Sequence, residues 1–205
     1  MKFKLDKEFK KNLVIILVIG LLTAGSLEVF THYYNFMVSR REHRCLPWNY
    51  FVIRKGIVPG EHEDLISFRG KNIPRYKDGV RFVKMIAGMP GDAIKVEVFS
   101  EEKRNQHTRA IEKNHELIKQ RVQGRVHIQR KDNNKTVSLD VIETDSFGQK
   151  LPFYSHEQVI PEGKYFVVGL MPRTYDSRYW GLIDEKQVIG KAYPLAFWKT
   201  TKGLL

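Results

Sequence analysis

Residues 81–92 read Arg-Phe-Val-Lys-Met-Ile-Ala-Gly-Met-Pro-Gly-Asp. The apolar first part predicts a β-strand, and the Gly-Met-Pro-Gly that follows predicts a turn that ends it. Lys84 stands in the middle of this strand and shares a face with Phe82 and Ile86. If that face is the core, desolvation favours the neutral amine, which is a competent general base. A strand lysine that faces water is the commoner case, and this stretch alone leaves both open.

Other segments have the same strand character, with β-branched and aromatic residues or period-two alternation. They are residues 50–54, 65–69, 94–98, 125–129, 136–139, 165–169 and 188–193. Residues 101–124 differ, because they are rich in charged and amide side chains. Apolar residues there fall at approximately helical spacing, which predicts a short surface helix near 108–121. We interpret this basic insertion as a docking or membrane-surface element, or as a solvated excursion of the chain.

The N-terminus predicts a membrane anchor. Residues 13–25 are apolar, and the run reaches the roughly 20 residues that span a bilayer only if it extends to Phe30, with Glu28 near the interface. Five lysines precede it, so the positive-inside rule places the N-terminus in the cytoplasm. We therefore predict a cytoplasmic basic tail at 1–11 and a single transmembrane anchor at 12–34. A cleaved signal peptide is the alternative, although no Ala-x-Ala site is present.

Composition sets further limits. The 205 residues carry a net charge of +12 and suffice for one domain plus an anchor. This charge suits an acidic membrane surface, a polyanion or an acidic protein, and it is equally compatible with a solvated basic surface. The single cysteine excludes an intrachain disulfide. The histidines show no metal-ligand spacing and no nucleic-acid motif is present, so we predict no cofactor, no metal and no nucleic-acid partner.

Two further segments contain candidate functional residues. Cys45 follows the anchor closely, and His43 and three arginines surround it in sequence, so nearby positive charge favours the thiolate. The same arginines would also suit lipid headgroups. The second segment, residues 169–181, is dense in polar and aromatic side chains. Within it, Asp176 and Arg178 are placed to form an ion pair that fixes the loop.

These segments, in this order, resemble the type I signal peptidases, which use a Ser/Lys dyad, and most of all the TraF-type peptidases of conjugative transfer systems. The family's nucleophile box Ser-Met-Pro-x-Gly-x-Tyr corresponds to Cys-Leu-Pro-Trp-Asn-Tyr-Phe at 45–51. Its Gly-Asp-apolar-x-x-Phe element corresponds to 63–68, its lysine box to 84–92, and its final Ser-x-Asp-Ser-Arg-Tyr-Trp-Gly to 174–181.

The resemblance covers nearly the whole chain apart from an inserted basic lobe, for which we expect residues 99–150. It implies a mainly β fold, with a signal-peptidase-like antiparallel β domain formed by 35–98 and 151–205. The main domain is expected on the periplasmic side of the inner membrane.

The same resemblance implies the site residues. Cys45 takes the nucleophile position, and Lys84 is the general base. Thr174 falls where the family has a hydroxyl that orients the lysine, and Asp176 and Arg178 form the structural pair. His43 stands where many relatives place a second hydroxyl of the oxyanion hole, a supporting position.

The implied function is that of a membrane-anchored processing peptidase acting on a secreted or pilin-type substrate of a conjugative or type IV secretion system. Its partners would be the membrane, the protein substrate and other components of the transfer apparatus. A cysteine nucleophile gives a thioester, which reacts readily with amines, so cleavage followed by cyclisation of the substrate is a further hypothesis.

Departures from the family pattern support an alternative. They are His43, Leu46, Asn49 and the Leu170–Met171 pair that replaces Asp-Asn, whereas the cysteine in place of serine leaves the chemistry possible. A catalytically impaired pseudo-peptidase that serves as an assembly factor would tolerate all of them.

Overall fold

The computed structural model describes residues 7–39, 45–113, 116–145, 147–171 and 174–195, with the side chains of 109–113 and 116–119 excepted. The chain forms two units, Met1–Asn35 and Phe36–Leu205. Each is considered by itself.

The first unit contains the helix α1, Lys7–Tyr33, which is 27 residues long and exposed along its whole length. Among the described residues it is the one helix long and apolar enough to cross a membrane. Its hydroxyl groups bond within the helix: Thr23 donates to the Ile19 carbonyl at 2.9 Å and Ser26 to the Leu22 carbonyl at 2.7 Å. Such bonds satisfy polar groups on an apolar helix without solvent.

The remaining elements are mostly strands, as the sequence predicts, and every strand pairing whose register is described is antiparallel. The strands are β1 Tyr34–Val38, β2 Tyr50–Lys55, β3 Leu65–Arg69, β4 Arg81–Gly88, β5 Ala93–Val98, β6 Thr108–Lys113, β7 Glu116–Gln129, β8 Thr136–Ile142, β9 Gln158–Val159, β10 Lys164–Val168, β11 Ile183–Asp184 and β12 Val188–Pro194. Two short helices, α2 Glu101–Gln106 and α3 Ser177–Trp180, and a 3₁₀ turn at Glu185–Gln187 complete the described elements.

The strands form two sheets. The larger has seven strands in the order β1-β2-β12-β3-β4-β10-β11, and the smaller has the order β6-β7-β5-β9, with β8 also paired to β7. The segment 99–150 therefore shares a sheet with β5 and β9, which flank it in sequence. The predicted fold class, mainly antiparallel β with an N-terminal apolar helix, is confirmed.

Strand β4 is buried on both faces, since every residue from Phe82 to Gly88 is buried. Val83 and Met85 pack into a cluster with residues of β2 and β3, whereas Phe82 and Ile86 pack into a second cluster with β3, β10 and β11. Lys84 projects to the same side as Phe82 and Ile86, and its register partner on β3 is Ile66. The sequence alone does not decide whether this lysine is buried, and the fold shows that its side chain is.

The helix predicted near 108–121 is wrong. This segment forms the antiparallel pair of β6 and β7, and the short helix of the region, α2, ends earlier at Gln106. Ile111 and Ile118 are register partners across the pair, so their spacing of seven positions arises from two strands that face each other. Further along β7 the burial alternates with period two, as a strand requires.

Candidate active site

The loop that follows β10 is fixed by Asp176. This carboxylate is fully buried, caps α3, and accepts the backbone N–H of Gly169 at 2.9 Å. It also binds the guanidinium of Arg178 through two bonds, of 2.8 Å to Nε and 2.7 Å to Nη2. The predicted ion pair between these two residues is therefore present.

Arg178 extends this bracing to the smaller sheet. It is 4% exposed, and its Nη1 donates to the Asp140 carbonyl on β8 at 2.9 Å. Burial alone would lower the pKa of Arg178, but the charge and hydrogen bonds of Asp176 outweigh that effect and raise it above its ordinary value. The guanidinium is therefore a permanent charge that holds the loop in one conformation.

The backbone of Cys45 is bonded to this loop. Its carbonyl accepts the N–H of Leu170 at 2.8 Å and of Met171 at 3.1 Å. Gly169 permits the approach, since a Cβ there would lie 2.7 Å from the Cys45 carbonyl oxygen and 2.2 Å from Thr174 Cγ2. His43 and its neighbours 40–44 lie outside the described residues, so the position predicted for it is untested.

Lys84 reaches the same loop from β4. Its side chain is 0% exposed, and the amine donates to the Tyr175 carbonyl at 2.9 Å. The amine also lies 5.8 Å from the centre of the Trp180 ring, a cation–π distance. Within the described part of the chain this amine makes no salt bridge, so a carbonyl and an aromatic face surround it instead of a carboxylate.

Thr174 is 3% exposed and belongs to the same loop. Its hydroxyl donates to the Met171 carbonyl at 2.7 Å and to the Cys45 carbonyl at 3.4 Å, while the amine of Lys84 bonds to the neighbouring residue, Tyr175. The loop thus brings Cys45, Lys84 and Thr174 together: the first through its carbonyl, the second through its amine and the third through its hydroxyl.

An aromatic cluster beside these residues does not follow from the sequence motifs. The ring of Tyr76, in the loop between β3 and β4, lies 6.2 Å from the ring of Tyr175 and 5.1 Å from that of Phe82. Tyr175 in turn packs against Tyr179 and Trp180. Burial, and after it the charge of Cys45, raise the pKa of the Tyr76 phenol, whereas Arg75 opposes this rise. No sequence signal marks Tyr76, because the Pro and Gly residues around it indicate only a turn.

A second polar cluster surrounds Asp92, the last residue of the lysine box. Its buried carboxylate accepts the N–H groups of Met89 at 2.8 Å and Lys131 at 2.9 Å, and it lies 2.7 Å from His62 Nε2. Together with neighbouring residues this cluster lines an open cavity of about 640 Å³. Asp92 therefore ties the turn after β4 to the turn after β7, and its role is structural.

The chain matches the family model described as signal peptidase, peptidase S26, over residues 8–198. Two curated relatives are similar over shorter stretches. Signal peptidase I of Buchnera aphidicola subsp. Baizongia pistaciae is 27% identical over 166 residues, 62% of this chain and 52% of that protein. The probable signal peptidase I-2 of Synechocystis sp. is 27% identical over 127 residues, 60% of this chain and 42% of that protein. The chain thus spans about half the length of these relatives or less.

A solved structure, that of a signal peptidase I from Enterococcus faecalis V583, is 24% identical and has a TM-score of 0.32. The match covers 66% of this chain and 98% of that one. The family assignment rests on the family model, whose match takes in α1, the segments of Cys45 and Lys84 and the loop that joins them. On that match, the chain belongs to the signal peptidase family, peptidase S26.

Proposed function

We propose that this chain is a membrane-anchored, signal-peptidase-like processing enzyme in which Cys45 is the nucleophile and Lys84 the general base. One observation carries the proposal. A fully buried amine that lacks a salt bridge among the described residues bonds to the loop that also binds the Cys45 backbone. Burying such a group costs free energy, so it points to a use beyond stability.

The chemistry follows from these two groups. The Cys45 thiol transfers its proton to the Lys84 amine as the sulfur attacks the substrate carbonyl. When the tetrahedral intermediate collapses, the C–N bond breaks and the ammonium of Lys84 returns the proton to the leaving amine. Water or a second amine then attacks the thioester and releases the thiol.

The supporting roles come from the loop. Thr174 bonds to the Cys45 carbonyl and so positions the nucleophile's backbone, and the buried pair of Asp176 and Arg178 keeps the loop in place. The Cys45 N–H serves in the oxyanion hole, with His43 as a supporting residue at the position implied by the family resemblance.

The proposed location is the inner membrane, with the N-terminus in the cytoplasm and the β unit on the periplasmic side. The organisation is a basic tail at 1–11, an anchor at 12–34, a catalytic-type β domain at 35–98 and 151–205, and an inserted lobe at 99–150. An anchored enzyme and a membrane-borne substrate share one plane, which raises the rate at which they meet.

The proposed substrate is a secreted or pilin-type protein of a conjugative or type IV secretion system, a proposal supported by the resemblance of the motifs to those of the TraF-type peptidases. A thioester intermediate also suits transfer to the substrate's own N-terminus, which would release a cyclic product. Mass spectrometry of the matured substrate distinguishes hydrolysis from cyclisation, because the hydrolysed product is heavier by one water than the cyclic one.

The decisive test is Cys45→Ala, with Cys45→Ser as the matched control. We expect the alanine variant to accumulate at the wild-type level and to leave the substrate unprocessed, whereas the serine variant keeps part of the activity. Full processing by the alanine variant would exclude Cys45 as the nucleophile.

A pseudo-peptidase that acts as an assembly factor is the second candidate. It is favoured by the departures at Leu46, Asn49 and Leu170–Met171, and by the direction of the Thr174 hydroxyl toward carbonyls rather than the Lys84 amine. In that case the alanine variant supports assembly of the transfer apparatus as the wild type does, and deletion of the protein abolishes assembly.

A further inference from the structure

Arg75 joins two loops of the β unit. The first, residues 69–81, connects β3 to β4, and the second is the turn at 144–150 that follows β8. One guanidinium nitrogen of Arg75 lies 2.7 Å from Asp145 Oδ2, and the other donates to the Lys150 carbonyl at 3.1 Å. The two segments thus form one surface, which we call the joined loops.

The joined loops carry a surplus of positive charge. Exposed cations that make no salt bridge within the described part of the chain are Arg69, Lys71, Lys77, Arg81 and Lys150. Of the two carboxylates in these segments, Asp145 is occupied by Arg75, which leaves Asp78 against these five charges. Asp78 itself accepts the N–H of Asn72 at 2.8 Å. The surface is therefore strongly cationic and suits an anionic partner.

Two of these cations stand directly opposite each other. Arg69 on β3 and Arg81 on β4 are register partners in the antiparallel pair, and both are exposed. Side chains of register partners project from the same face of a sheet, and like charges in this arrangement destabilise it. A bound anion would remove the repulsion, because both guanidinium groups can then donate to it. This arrangement therefore favours a ligand that carries negative charge.

The turn at 144–150 presents an apolar side chain beside these charges. Phe147 is 87% exposed. The turn is held by Asp145, whose Oδ1 accepts the N–H groups of Phe147 and Gln149, both at 2.9 Å. Gly148 completes it with a φ of +78°, a conformation that favours glycine. A large aromatic side chain held in water is unfavourable, so its exposure on a fixed turn points to an apolar partner.

We propose that the joined loops bind the surface of an anionic lipid bilayer, with the five cations at the phosphate headgroups and Phe147 in the interface. Cations around an exposed aromatic side chain are the features by which proteins bind such surfaces. A fluid bilayer can meet cations spread over two loops and an aromatic side chain at the same time. The chain also has a helix apolar enough to cross a membrane, which keeps lipid within reach. The proposal rests on the proposed membrane location, and it does not depend on catalysis.

The test measures contact with lipid at Gln149, an exposed residue of the same turn. In the full-length Cys45→Ala protein, Gln149→Cys supplies the single thiol, which is labelled with the fluorophore NBD. The protein is reconstituted into vesicles of phosphatidylcholine with or without phosphatidylglycerol, and nitroxide-labelled lipid quenches a label that reaches the interface. We expect strong quenching in the vesicles that contain phosphatidylglycerol and weak quenching in phosphatidylcholine alone.

Substitutions then separate the two parts of the surface. Phe147→Ser should lower the quenched fraction by about threefold, because the apolar side chain is lost, and Phe147→Leu should preserve it. The double variant Lys71→Gln with Lys77→Gln should lower it by a similar factor, as should high salt, because both weaken the attraction to the phosphates. The matched control is Lys95→Gln with Lys131→Gln, which removes two exposed cations of β5 and of the turn after β7 and should leave quenching unchanged.

Quenching that is equal in the two kinds of vesicle, or that survives both the Phe147 and the lysine substitutions, would overturn the proposal. So would a response of the label to poly-L-glutamate in phosphatidylcholine vesicles that exceeds its response to phosphatidylglycerol, because that result indicates an acidic protein partner instead. Since the background is Cys45→Ala, the outcome is independent of cleavage. Cleavage that depends on Cys45 while the label stays unquenched removes only this inference, whereas a quenched label without any cleavage by the wild type removes only the proposed peptidase.

Discussion

At the scale of single residues, Lys84 is the most unusual position in the described chain. An amine with 0% exposure has lost its hydration, and one carbonyl at 2.9 Å and one aromatic face replace it. Burying the amine in this way is less favourable than burying an apolar side chain of similar size. Selection for stability alone would favour methionine or leucine at this position.

We therefore expect Lys84→Met to separate stability from activity. The free energy of unfolding should change by less than about 2 kcal/mol, since the loss of one hydrogen bond is offset by the removal of a buried polar group. Cleavage should fall by about two to four orders of magnitude, as expected when a general base is lost. Urea unfolding and substrate processing measure the two effects.

Met85→Ala is the control, because the neighbouring side chain is equally buried and has no proposed chemical role. It should cost about 2–5 kcal/mol and leave the chemistry of the folded fraction intact. A large loss of stability in Lys84→Met, comparable to that of Met85→Ala, would mean that the lysine is structural.

At the scale of elements, the loop between β10 and β11 organises the site. A single buried carboxylate, Asp176, caps α3, accepts the Gly169 N–H and pairs with Arg178, which reaches β8. Three chain segments therefore depend on one ion pair. We therefore expect the loss of this ion pair to destabilise the loop that binds the Cys45 backbone and the Lys84 amine.

Replacing Asp176 by Asn should destabilise the protein by about 3–5 kcal/mol, because the Arg178 guanidinium would stay buried without its counter-charge. Thermal unfolding of the purified protein measures this. The matched control is Lys164→Gln, which breaks the exposed pair of Lys164 with Asp184 and should cost less than about 1 kcal/mol. Equal costs for the two variants would contradict the bracing role of Asp176.

The pair of β6 and β7 marks where element prediction from the sequence failed. Apolar residues near 108–121 match a helical spacing, yet Ile111 and Ile118 are register partners on two paired strands. Short apolar patterns cannot distinguish these cases, because a hairpin also brings residues seven positions apart into contact. The pairing of β7 with β5, an earlier segment of the chain, and with β8, the next strand, stabilises it.

At the scale of the whole molecule, the sequence offers a direct test of membrane orientation. Cys45 is the single cysteine of the chain and follows the proposed anchor. A membrane-impermeant maleimide should label it in intact spheroplasts if the β unit is periplasmic. Labelling only after permeabilisation would place the β unit in the cytoplasm, and Cys45→Ala controls for other sites of reaction.

The sequence by itself determined the helix, most strands and the turn after β4, because these depend on local hydrophobic pattern and on Gly and Pro. It also placed Asp176 and Arg178 close enough in the chain to pair. Only the tertiary structure decided that Lys84 is enclosed, since its burial requires cores on both faces of β4. The contact of Arg75 with Asp145 was likewise decided by the fold, because the two residues are 70 positions apart in the sequence. No local sequence pattern predicts a contact over that separation.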